Sequence, residues 1–105
     1  MTHPKGVIEI EYDPIANAAY LYFKHPIAYG EAVRTIEVNQ DLFIDFDARG
    51  TPLGIDILNA EESLGVAGKP SLDTIVQSVK PQIAAAVQSK PQDAQLYQRV
   101  LALLH

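Results

Sequence analysis

The hydrophobic pattern of this chain changes period once, close to residue 60, and that switch limits the fold more tightly than any motif does. Before it, apolar and polar residues alternate. In residues 7–12, VIEIEY, the side chains of Ile8, Ile10 and Tyr12 face one way while Glu9 and Glu11 face the other. That is the pattern of a half-buried antiparallel strand. Asp13 and Pro14 stop it, because proline cannot donate a ladder hydrogen bond and aspartate favours a turn. Residues 19–23, AYLYF, are aromatic and strand-like. Residues 32–38, 41–47 and 53–58 continue the period of two, with Asn39 and Gln40 forming a turn between the third and fourth strands. Five short strands joined by tight turns read as an antiparallel meander.

After the switch the apolar residues keep helical spacing. Residues 61–70, EESLGVAGKP, contain two glycines and a proline and read as a linker. Ser71 is a good N-cap, and Leu72, Ile75, Val76, Val79, Ile83 and Val87 form a helical stripe across Pro81. The spacing predicts a helix over 72–89, kinked or broken at Pro81. Pro91 suits the first turn of a last helix over 92–104, whose stripe includes Leu96, Tyr97, Val100, Leu101 and Leu104. A helix that apolar needs a surface to cover, either the sheet or a second subunit. Tyr97, Val100, Leu101 and Leu104 are therefore the candidate interface residues, and a homodimer is the expected assembly. The expected fold class is α+β, with the helices packed on one sheet face. The expected organisation is one domain over 1–105: a β region at 7–60, the linker, and a helical extension at 71–105.

Composition narrows the function classes. The 105 residues include no cysteine, which removes disulfides, thiolate metal sites and cysteine nucleophiles. The net charge is −5, and the eight Lys and Arg residues are scattered with no two adjacent. Carboxylates repel phosphates, so nucleic-acid binding is not expected, and a basic protein is the favoured kind of partner. No apolar run approaches the roughly 20 residues of a membrane span, and the N-terminal stretch has no apolar core of a signal peptide. A cytoplasmic location is expected.

The hairpin at residues 41–58, DLFIDFDARGTPLGIDIL, carries the densest set of possible ligands. If Leu42, Ile44, Phe46, Leu53, Ile55 and Ile57 point inward, then Phe43, Asp45, Asp47, Gly54 and Asp56 point outward. Asp45, Asp47 and Gly50, with Asp56 at the twelfth position, approach the spacing of a calcium-binding EF-hand loop. Arg49 stands where an oxygen ligand belongs, and the segment joins strands rather than helices. In a hairpin Asp45 should lie near Gly54 and Asp56 near Phe43. The simpler reading is a type I turn over Asp47 to Gly50, with Gly50 at a positive φ.

The same segment carries a family resemblance. Tyr12-Asp13-Pro14, Ala18-Ala19-Tyr20-Leu21, Ile44-Asp45-Phe46-Asp47, Gly50 and Leu53-Gly54-Ile55-Asp56-Ile57-Leu58 together resemble a small bacterial family known as domain of unknown function 2283. The resemblance spans roughly residues 7–60. The chain departs from the family pattern at Asn17, where Asp is usual, and at Asp56, where Glu is usual. The resemblance implies a small β-rich fold and says little about activity. Some members lie beside toxin-like genes, which implies an antitoxin-like or partner-binding role.

Other chemistry is weakly supported by the sequence. The carboxylates Glu9, Glu11, Glu37, Asp45, Asp47 and Asp56 alternate with apolar residues, as the solvated side of a sheet would. The histidines, His3, His25 and His105, have no HxH or HxxxH spacing. Ser63, Ser71, Ser78 and Ser89 lack a Gly-x-Ser-x-Gly setting. Gly65 to Lys69 lacks the first glycine of a phosphate loop at proper spacing, and Pro70 stands where Ser or Thr follows the lysine. Tyr20 and Tyr22 share one strand face and Leu21 and Phe23 the other, so one pair belongs to the core. The reading that emerges is a non-enzymatic protein-binding or oligomerisation module with no cofactor. Its competitor is a small-molecule or divalent-metal-binding domain, or a weak hydrolase, using Asp45, Asp47 and Asp56 on the acidic face.

Overall fold

The computed structural model describes residues 6–105, so His3 and Lys5 lie outside the described residues. Five strands form one antiparallel sheet: β1 (Glu9–Asp13), β2 (Ala18–Tyr22), β3 (Arg34–Asn39), β4 (Leu42–Phe46) and β5 (Pro52–Ile57). Three helices follow: α1 (Ala60–Leu64), α2 (Leu72–Ser89) and α3 (Ala94–Leu103), the last entered through a 3₁₀ turn at Pro91–Asp93. The α+β class and the strand-then-helix order agree with the sequence reading. The strand order is β1-β2-β5-β4-β3. A continuous meander would set β3 beside β2. Instead β3, β4 and β5 form a three-stranded meander whose last strand inserts between β4 and β2.

That order puts β5 at the centre, and its burial follows. Every residue of β5 except Asp56 is buried. The inner face collects Leu21, Leu42, Ile44, Phe46, Ile55 and Ile57, all at 0% exposure. Ile75, Val79 and Ile83 of α2 and Tyr97 and Val100 of α3 complete the same cluster. Covering such side chains contributes roughly 1.5–3 kcal/mol each. No polar or charged residue is buried among those described.

The C-terminal helix covers its own sheet. Tyr97, Val100 and Leu104 are 0–1% exposed within one chain, and only Leu101 remains half-buried. The homodimer expected through this stripe thus loses three of its four anchors, because the sheet supplied the surface the stripe needed.

Two polar devices fix the helical layer. The β3–β4 ladder shifts register between Glu37 and Asn39, and a bulge of this kind frees carbonyls from the ladder. The Tyr97 hydroxyl donates to the Glu37 carbonyl at 2.7 Å, and Lys90 Nζ donates to the Glu37 and Val38 carbonyls at 2.9 and 3.2 Å. Also from α3, Arg99 donates to the Gly50 carbonyl at 2.8 Å in the β4–β5 turn.

The region expected to be a 61–70 linker is partly helical. Asn17, in the β1–β2 turn, accepts from the Glu61 amide at 2.9 Å through its side chain and from the Ala60 amide at 2.8 Å through its carbonyl. This cap comes from 44 residues away in sequence, so no local pattern announces α1. Ala60 and Leu64 then bury against the core. Ser71 caps α2 as expected, accepting from the Thr74 amide at 3.1 Å. The helix runs unbroken through Pro81.

Candidate functional site

The helices cover one face of the sheet, and the other face carries the chemistry. Strand alternation and the observed register place Glu9, Glu11 and Asp13 of β1, Tyr20 and Tyr22 of β2, Asp56 of β5, Phe43 and Asp45 of β4, and Thr35 and Glu37 of β3 on this outer face. No Lys or Arg of the five strands shares it. The one strand cation, Arg34, instead pairs with Asp93 at 2.9 Å beside the helices.

Asp45 organises the centre of this face. Its carboxylate accepts from the Tyr20 hydroxyl at 2.8 Å and from Thr35 Oγ1 at 2.6 Å. Tyr20 reaches across β5 to do so, and Gly54 is what lets it pass. A Cβ at position 54 would stand 2.2 Å from Tyr20 Cε1, so the ring lies directly on the bare backbone of β5. Burial first, then the bond to Asp45, raises the Tyr20 hydroxyl well above the usual tyrosine value. Asp56 pairs across the strands with Tyr20 and Phe43. Its carboxyl is raised above the ordinary range, first by desolvation and then by the neighbouring Asp45 charge. Asp56 lines a cleft of about 210 Å³ with Glu11, Asp13 and Tyr20.

A second group stands at the β1 side. The Tyr22 hydroxyl donates to Glu11 Oε1 at 2.7 Å, which with burial pushes its pKa up to about 12. His25 Nε2 lies 3.0 Å from Glu9 Oε2, and its ring meets Tyr22 edge-on at a centroid distance of 4.7 Å. Glu9, Glu11 and His25 each offer a ligand atom, and these atoms lie within 4.8 Å of one another. Sequence spacing missed this group because His25 arrives from the loop after β2. The available signal was the β1–β2 pairing, which sets Tyr22 opposite Glu9 and so brings the following loop to β1.

The three aspartates picked out by the sequence separate. Asp45 and Asp56 share the outer face, with Asp45 opposite Gly54 and Asp56 opposite Phe43, as the hairpin geometry requires. Asp47 does not join them. Its Oδ1 accepts from the Arg49 and Thr51 amides at 2.9 Å, and its carboxyl is held below the usual range, chiefly by the Thr51 amide. The Gly50 amide donates to the Asp47 carbonyl at 3.0 Å, and Gly50 has φ 77°. The turn uses the very residues that a calcium loop would need free. Along β2 and just beyond it, Leu21 and Phe23 are core, and the aromatic rings of Tyr20 and Tyr22 form the outer pair at a centroid distance of 4.7 Å.

No helix of the described residues is long and apolar enough to cross a membrane. No curated protein and no solved structure matches the chain. A family model does match: residues 9–61, the sheet and the start of α1, fit the family described as "Protein of unknown function (DUF2283)". The match covers just over half of the chain and takes in Asn17, Tyr20, Asp45, Gly54 and Asp56, while α2 and α3 lie beyond it. The chain belongs to the DUF2283 family.

Proposed function

We propose that this protein is a non-enzymatic binding module that docks a basic protein through the open face of its sheet. The observation that carries the reading is the composition of that face: tyrosine, phenylalanine and carboxylates with no strand Lys or Arg, left uncovered by the chain's own helices. Tyrosine is an interface residue because it supplies large contact area with a polar tip. Fixed carboxylates steer a cationic partner and reject an anionic one. The network also disfavours chemistry at its centre. The Asp45 carboxylate is already taken up by two hydrogen bonds, and Tyr20 is held protonated, so its phenol is not poised as a base. A second copy of the chain is a poor occupant of this face, since it would set carboxylates against carboxylates. An antitoxin-like role is one form such a module takes.

Affinity capture tests the reading. The bait is the wild-type chain, a Glu9→Lys/Glu11→Lys variant, and a variant with the same charge change placed on the exposed surface of α2 (Gln77→Lys, Ala84→Lys, Ala85→Lys, Gln88→Lys). Basic proteins should be retained by the first and third baits and lost by the second. Equal retention by all three would sink the proposal.

The convergence of Glu9, Glu11 and His25 favours a second reading, a divalent-metal site at the rim of the same face. Calorimetry with zinc, manganese and magnesium should then give a saturable heat that His25→Ala removes. Absence of heat closes this branch.

A further inference from the structure

We propose that the free edge of β1 accepts an extended segment of the partner as a sixth strand, and that this segment carries lysine or arginine at alternate positions. The inference rests on the basic-partner reading above and specifies where and how that partner binds.

The two edges of the sheet are treated differently. The β3 edge is broken by the bulge between Glu37 and Asn39, and Lys90 and Tyr97 occupy the carbonyls the bulge frees. Arg34 is held beside it by Asp93. A bulge and covering side chains are the devices that prevent strand addition. At β1, none of the described residues reaches the backbone of Glu9–Asp13 from outside the sheet. The strand is regular over all five residues against β2, so alternate N–H and C=O groups point outward as a template.

Charge selects the occupant. A second copy adding antiparallel about Glu11 would set Glu11 against Glu11 and Glu9 against Asp13, like charges directly opposite. A segment with cations in that row would meet Glu9, Glu11 and Asp13 instead. The other side of the strand sets the intervening positions. Ile10 and Tyr12 are half-buried, and Ile8 is 60% exposed. A groove of about 590 Å³ beside the start of β1 is lined by the apolar Val7, Ile8, Ile10, Pro70 and Leu72, with Glu9, Lys69 and Ser71 as its polar members. The fitting pattern is therefore cation, apolar, cation, apolar, in register with the pleat.

The test is amide hydrogen exchange on the full chain with a short capped peptide alternating lysine and valine. The amides of Glu9–Asp13 should slow by about tenfold or more at saturation. A peptide N-methylated at alternate residues should lose the effect, because strand addition needs its backbone donors. The Glu9→Lys/Glu11→Lys variant should reject the lysine peptide and accept one alternating glutamate and valine. Unprotected β1 amides with millimolar peptide would overturn the proposal. So would binding that survives N-methylation, which would mean that the peptide is held without backbone pairing to the β1 edge. Either outcome leaves the basic-partner reading standing if charge-dependent capture persists. Loss of charge-dependent capture would remove that reading and this inference together.

Discussion

On the helical side of the sheet, Leu21, Ile44, Phe46, Ile55 and Ile57 have no solvent contact. On the opposite side, the same strands present Tyr20, Phe43, Asp45 and Asp56, all half-buried, with Tyr20 and Thr35 both hydrogen-bonded to Asp45. Both faces are ordered, but by different forces. The inner face is held by area removed from water, which is large and non-directional. The outer face is held by a few directed bonds around Asp45 and by one close approach at Gly54, each worth far less. An ordered surface that contributes little to folding is free to serve another role, and that contrast is the basis for placing binding on the outer side.

The largest effect should come from the inner face. Phe46→Ala leaves a cavity under β4 and should cost about 3–5 kcal/mol in a denaturant titration. A loss under about 1 kcal/mol would mean that the core is not where the contrast puts it. Next is Gly54→Ala. The added methyl occupies the space of the Tyr20 ring, so the ring must swing out and release Asp45, at about 1–3 kcal/mol. Stability close to wild type, with unchanged tyrosine spectra, would show that the ring does not depend on the bare backbone.

The alkaline limb of stability sharpens the comparison further. Tyr20 and Tyr22 both titrate above the unfolded value of about 10. The native state therefore holds protons that the unfolded chain releases. Their contribution is fully present below about pH 10 and is lost as pH rises from there toward the raised folded values. Tyr20→Phe should flatten this loss while costing about 1 kcal/mol at neutral pH, the value of one hydrogen bond. An unchanged alkaline limb in that variant would show that Tyr20 is not held protonated by its site.

The smallest effect is expected at Asp56. Its folded pKa is raised, so ionisation opposes folding, and stability should rise slightly as pH falls toward the folded value. Asp56→Asn should leave stability unchanged or slightly higher, within about 0.5 kcal/mol because the group is partly solvated. A clear destabilisation at neutral pH would mean that the carboxylate makes a structural bond.

Period and turn chemistry made much of this legible in the sequence. Alternation placed Leu42, Ile44, Ile55 and Ile57 inside and Asp45 and Asp56 outside, and Gly50 marked the turn. Those features are local, set by the pleat and by φ. What escaped was long-range. The insertion of β5 between β2 and β4 depends on pairing that no strand encodes alone. The capping of α1 by Asn17, the docking of Tyr97 on the Glu37 carbonyl, and the approach of His25 to Glu9 each join residues far apart in sequence. The apolar stripe of α3 signals the need for a cover, but period alone does not tell the sheet from a second subunit.

The central claim is that the outer side of the sheet binds a partner and the helical side does not. Site-specific photo-crosslinking in cells measures this directly, with a benzophenone side chain placed at Phe43 on the outer face or at Gln77 on the exposed surface of α2. Discrete crosslinks to a basic protein are expected from position 43, abolished by Glu9→Lys/Glu11→Lys, and none from position 77. Crosslinks from position 77 alone, or the same products from both, would contradict it.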